Sequence, residues 1–226
     1  MTKKKLSTQS DTARNTQFIK HITILATYIL VVWGFYRFLF KLPDELEEVI
    51  LKPLVWLIPI YFLVSREKLG ISSLGVTTKK LFPSLYLALA LGMVFAVEGL
   101  VINVVKYGGL DFSANLGAHN LWAALGISFA TAISEELAFR GYIFNRLWTV
   151  LKKEWLANII TSVIWGIIHI PVAIFAWNLN MSGALGYLIL TTIFGIGSAF
   201  VFARTKNVAS SIFLHVFWEW PIILFR

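Results

Sequence analysis

Long apolar runs, separated by short charged or glycine-bearing stretches, set the pattern of this chain. The first run covers about 21–40, and six more follow at about 50–64, 84–105, 121–139, 156–176, 183–203 and 208–225. A helix needs about 20 apolar residues to cross a ~30 Å hydrocarbon layer, and most of the runs reach that length. The shortest, 50–64, carries Pro53 and Pro59. It is expected as a kinked or re-entrant span, with Lys52 snorkelling to the interface. The pattern predicts an all-α polytopic membrane bundle of about seven transmembrane helices, forming one domain over 21–226. Residues 1–20, MTKKKLSTQSDTARNTQFIK, are polar and basic and are expected as a short disordered cytoplasmic tail. The run after them is too long for a signal-peptide core and lacks a small-residue cleavage site, so it reads as a retained first helix.

Composition supports that class. Of 226 residues, 58% are hydrophobic and only 14% charged, and mean hydropathy is +0.74. No length is left over for a sizeable soluble module. Cysteine is absent, which excludes disulfides, thiolate metal sites, iron–sulfur clusters and cysteine nucleophiles. The net charge of +8 reads as loop charge that orients the bundle rather than as a nucleic-acid surface. Threading seven spans from a cytoplasmic N-terminus puts fifteen Lys and Arg inside, against Lys41, Lys52, Lys106 and Arg226 outside. The acidic cluster Asp44, Glu45, Glu47 and Glu48 also falls outside. An integral protein of a prokaryotic cytoplasmic membrane is the expectation, with its C-terminus external.

Ionisable side chains within the spans carry the chemistry, because each costs several kcal/mol unless paired or hydrated. They are Glu98, Glu135, Glu136, His169, His215 and Glu219, with Arg37 and Arg140 near helix ends. Taken singly, each is more often structural: a His satisfied on a helix backbone, or a Glu paired with an Arg. Their depth brings them together. At ~1.5 Å per residue, Glu135, His169, His215 and Glu219 reach comparable depth on three helices. They are expected to share one polar pocket opening toward the cytoplasm.

Within ISEELAFRGYIF (133–144), Glu136 and Arg140 are four apart and share a helix face. Glu135 is turned about 100° away and is expected to stay free. His215 and Glu219 repeat the spacing, as do Trp165 and His169. A free Glu beside a neutral His has the parts to activate a water for attack on a peptide carbonyl. A second His can donate to the resulting oxyanion.

At these residues the chain resembles the CPBP family of intramembrane proteases, which includes CAAX prenyl endopeptidases and bacteriocin-processing or self-immunity proteins. The resemblance runs over about 120–220. Its Glu-Glu-x-x-x-Arg motif is matched by Glu135, Glu136 and Arg140, with Phe139 and Gly141 beside the arginine. An aromatic residue four before a histidine appears as Trp165 and His169, where Phe is more usual at the first position. A late histidine followed by a polar residue appears as His215 and Glu219, where Asn is usual at the second.

The resemblance implies that Glu135 and His169 activate water and that His215, with residue 219, stabilises the oxyanion. Glu136 and Arg140 then hold the site together. An ionised Glu219 has no proton to donate, so it departs from the family's pattern in chemistry as well as identity. His169, His215 and Glu219, with Glu135, also form a ligand set suited to zinc. The metal-free route, with no cofactor, is the preferred reading.

The expected partners are a membrane-embedded or membrane-associated peptide or protein substrate and the lipid bilayer, with no nucleic acid. Two rivals stand beside the protease: a non-catalytic scaffold or bacteriocin-immunity protein of the same family, and a proton-coupled transporter. Lesser expectations place Glu98 and Asn103 at the cavity and His21 and His119 at interfaces. Ser134, Ser210 and Ser211, and the stripe Gly195, Ala199, Ala203, read as packing.

Overall fold

The computed structural model describes residues 2–40, 42–109 and 120–224, and regular structure among them is helical. Seven helices follow one another: α1 (Thr2–Leu39), α2 (Asp44–Arg66), α3 (Leu81–Tyr107), α4 (Leu121–Leu151), α5 (Glu154–Ala176), α6 (Met181–Thr205) and α7 (Val208–Leu224). The first six include stretches long and apolar enough to cross a bilayer. α7 adds an apolar helix of 17 described residues. The segment expected as a disordered tail is helical from Thr2 onward, and the stretch of α1 able to span begins at Asp11. The short run at 50–64 is likewise extended, to 44–66, which makes it long and apolar enough to cross a bilayer.

Local signals place the helix ends. Asn120 and Asn180 accept from the amides of Ala123 and Gly183, at 2.9 and 2.8 Å, and so cap the starts of α4 and α6. At their other ends the chain reverses within two residues. Lys152 and Lys206 adopt left-handed φ values of 57° and 56°, a conformation that closes a helix and admits a sharp turn.

The distribution of polarity is inverted relative to a water-soluble bundle. Phe35, Phe62, Phe82, Met93, Val94 and Val97 point outward, as lipid contact requires. Ser84, Asn103, Ser128, Thr131, Glu135, Glu136, Arg140, Ser198 and His215 are buried. α3 packs most extensively on α7, and α5 on α6. Close approach depends on small residues. A Cβ at Gly99 of α3 meets the Trp218 carbonyl of α7 at 2.8 Å, and one at Gly195 of α6 meets Ser162 of α5 at 2.9 Å. The α6 stripe therefore packs as expected, whereas the α3 face was not singled out in the sequence.

Candidate functional site

Three helical irregularities sit beside the ionisable residues. Wide, π-type turns occur at Glu47–Leu51, Leu137–Phe144 and Val172–Ala176. The first precedes Pro53, whose ring nitrogen donates no hydrogen bond. The Lys52 amide reaches back five residues to the Glu47 carbonyl. The third follows Pro171. His169 lies at the break before it, its amide on the Gly166 carbonyl at 3.0 Å. Single π turns recur at functional positions because they re-aim the side chains around them.

Glu136 and Arg140 form the predicted pair, at 3.0 Å, with both side chains at most 1% exposed. Glu136 also accepts from Ser198 Oγ at 2.7 Å and from His215 Nδ1 at 2.8 Å. Arg140 further donates to the Gly195 carbonyl at 3.3 Å and lies 4.8 Å from the Trp165 ring centre. Four helices' worth of contacts converge on this one carboxylate and its arginine partner, which suits a structural pin.

Glu135 is not free, contrary to expectation. Its Oε1 accepts from the Lys52 ammonium at 2.8 Å, and its Oε2 from Trp165 Nε1 at 2.9 Å. Lys52 does not snorkel. It is 4% exposed and is also paired with Glu48, one turn back on α2. Arg37 completes the cluster, bonded to Glu47 and Glu48. Part of the acidic patch expected in an outer loop is thus folded into α2, with Glu47 buried and holding Tyr36 and Arg37. The physical reason is mutual: a buried carboxylate needs a counter-charge, and the wide turn before Pro53 brings Lys52 to Glu135.

His169 donates from Nδ1 to the Trp165 carbonyl at 2.7 Å. In a neutral ring this leaves a lone pair on Nε2, which faces Glu135 Oε2 at 3.7 Å. His215 Nε2 lies 3.9 Å from Glu219 Oε1, beyond hydrogen-bonding reach. Glu219 instead accepts from Ser128 Oγ at 2.5 Å.

One cavity of about 270 Å³ unites these groups. Glu135, His169, His215 and Glu219 all line it, joined by Lys52 and Trp218. At ~30 Å³ per molecule it has room for about nine waters. The predicted four residues therefore meet, and Lys52 and Trp218 are additions. Trp218 Nε1 is a buried donor without a hydrogen-bond partner among the described residues. Phe139 and Phe144, which follow Glu135 on α4, and Phe202, near the end of α6, are fully buried, and Phe194 stacks on Trp218 at 4.2 Å beside the site.

The lining residues that reach the surface, Asp44 and Tyr107, lie with Arg37, Lys106 and Trp177 at the other end and mark the mouth. That is the end away from the basic connections and from the start of α1.

Other expectations are placed as follows. Glu98 does not line this cavity, and its carboxylate oxygens are buried without hydrogen-bond partners among the described residues. Asn103 donates to the Pro221 carbonyl at 2.8 Å, tying α3 to α7. His21 is buried rather than interfacial, 3.0 Å from Glu67. His119 lies outside the described residues. Ser134, Ser210 and Ser211 donate to the carbonyls of Ala130, Asn207 and Ser198 and pack as small residues. Among the described residues, no group of three or more His, Asp and Glu has the arrangement to hold a metal ion. The proposed zinc ligands do not fit that role as they stand, and no step is routed through a metal.

Comparison with known proteins agrees with the geometry. Residues 117–221 match the family described as Type II CAAX prenyl endopeptidase Rce1-like. The chain is similar to "Putative membrane peptidase YdiL" of Bacillus subtilis (strain 168), at 31% identity over 99 residues. That match covers 44% of this chain and 35% of the relative, so the chain spans about a third of that protein's length. No solved structure matches.

Proposed function

We propose that this chain, whose residues 117–221 match a CAAX prenyl endopeptidase family, is a CPBP-type intramembrane endopeptidase using a water activated by Glu135 and His169. The observation that carries the reading is the pair of acceptors, Glu135 Oε2 and His169 Nε2, 3.7 Å apart on the wall of a polar cavity. A water off the line between them, about 2.8 Å from each, donates one proton to each acceptor. Its lone pairs then point away from both, toward a bound carbonyl.

Attack forms the new C–O bond as the water proton passes to Glu135. The carbonyl electrons move to oxygen. Collapse of the tetrahedral intermediate breaks the C–N bond, and the proton held by Glu135 goes to the departing amine. His215 donates to Glu136 through Nδ1, so only its doubly protonated form also donates from Nε2 to the oxyanion. Trp218 Nε1–H is a second donor for that oxygen. Trp165 and Lys52 position Glu135 and supply its counter-charge. Glu136 and Arg140 hold His215 and α6 in place. The substrate is a membrane-embedded or membrane-associated polypeptide, and a prenylated CAAX peptide is one probe of that class.

The test is turnover of a membrane-peptide library by purified protein, wild type against Glu135→Gln and His169→Ala. General-base loss lowers the rate by about 10²–10⁴-fold. Equal cleavage by all three proteins would refute these roles. The ion pair on Glu135 favours a second reading, a non-catalytic binder in which the carboxylate only holds Lys52. Absence of cleavage by the wild type, across the library, would select it. A chelator added to the same assay tests the metal-free route: activity retained with no bound metal supports it, and activity lost and restored by zinc refutes it.

A further inference from the structure

The cavity floor and mouth lie toward opposite ends of the bundle, and charge distinguishes those ends. The outermost lining residues, Arg37, Asp44, Lys106, Trp177 and Ile222, come from the helix ends adjoining the connections at 40–43, 108–120 and 177–180 and from the last turns of α7. The opposite ends adjoin 67–80, 152–153 and 206–207 and the start of α1. Fourteen of the twenty Lys and Arg fall there, within 1–20, 66–80, 146–153 and 204–206. Short basic connections are retained on the cytoplasmic side of a membrane. The fully buried Phe139 and Phe144 of α4 and Phe202 of α6 lie between the site and that basic end.

We infer that the site receives its polypeptide from the non-cytoplasmic face of the membrane. Its substrates are segments presented on, or inserted from, that side. For what is cut, the inference rests on the peptidase reading; for the side of access, it rests on charge and cavity position alone. A peptide approaching the mouth reaches Glu135 and His169 along a wall of Trp177, Tyr187 and Ile222 without crossing the bundle. A cytosolic peptide would have to pass the fully buried Phe139, Phe144 and Phe202.

The absence of cysteine gives a silent background for the test. Gly109→Cys marks the mouth end, where an added Cβ meets nothing within 4 Å. Lys153→Cys marks the exposed basic end. A membrane-impermeant maleimide applied to intact cells is expected to label Gly109→Cys at once and Lys153→Cys only after permeabilisation. The reverse pattern overturns the inference.

In a second arm, a charged, membrane-impermeant fluorogenic peptide that the purified protein cleaves is added to the same cells. Cleavage by intact cells, lost in Glu135→Gln, supports access from outside. Cleavage only after permeabilisation overturns it. If the purified protein cleaves no peptide, the peptidase reading fails by itself, and the labelling pattern still decides the side on which the cavity opens.

Discussion

Lys52 and Glu135 are each 4% or less exposed at the residue level, and each is the reason the other tolerates burial. Removing one member of such a pair leaves an uncompensated charge and costs about 3–5 kcal/mol. Lys52→Met is therefore expected to lower stability in unfolding titrations in mixed micelles by that order. Lys52→Met combined with Glu135→Gln is expected to recover part of the loss, and additive losses in the cycle would refute the coupling. The Glu136–Arg140 pair was legible in the sequence because helical neighbours four apart are a local pattern. The Lys52 pairing joins positions separated by 83 residues. A lone lysine beside a short, proline-bearing run has the pattern of a snorkelling lysine, so only the packed helices reveal its partner.

Trp218 was hidden for a similar reason, its indole being an ordinary core residue until its N–H is found without a partner. Trp218→Phe is expected to lower kcat about 10²–10³-fold with KM little changed, as loss of one oxyanion donor does. Unchanged kcat would remove it from the site. Glu219→Asn, by contrast, keeps a hydrogen-bonding partner for Ser128 and adds a donor, so activity is expected to be retained or to rise. Its complete loss would assign the carboxylate a specific role.

At the scale of elements, the fit of α3 against α7 determines where the last site residues stand. Gly92 and Gly99 are seven apart and face α7, with Phe217 and Trp218 directly against them. A Cβ at Gly99 lies 2.8 Å from a backbone carbonyl, which no rotamer change relieves. Gly99→Val is expected to push α7 outward, carrying Trp218 and Glu219 off the cavity wall and cutting activity at least tenfold. Gly126→Ala is the matched control, since its Cβ meets nothing within 4 Å. It should leave turnover intact while gaining about 0.5–1 kcal/mol of helix propensity; equal losses in both variants would refute the packing account.

The helices themselves were readable from apolar run length, including their number and most of their bounds. Their wide turns were not. A π turn shifts hydrogen-bond partners by one residue over a single turn, too local a change to disturb a hydrophobic period averaged over a whole span. The true length of α2 was concealed in the same way, because Glu47 and Glu48 look like loop residues until Arg37 and Lys52 neutralise them.

Taken as a whole molecule, the site is assembled across the boundary of the recognisable segment. Glu135, His169, His215 and Glu219 come from 117–221, whereas Lys52, Glu48 and Arg37 come from helices before it. The outer helices are thus part of the cavity wall as well as the scaffold. The aromatic floor has an electrical consequence. On the proposed peptidase reading, water, proton and product enter and leave through one door, so a catalytic cycle is expected to move no net charge through the bilayer. Proteoliposomes containing the protein are expected to hold an imposed pH gradient while peptide is being cleaved, and turnover is expected not to respond to a membrane potential of either sign. A gradient that drains with turnover would mean that the rings of Phe139, Phe144 and Phe202 part during the reaction. An insulated floor would let the proposed acid–base chemistry proceed inside the bundle without short-circuiting the ion gradients across the membrane.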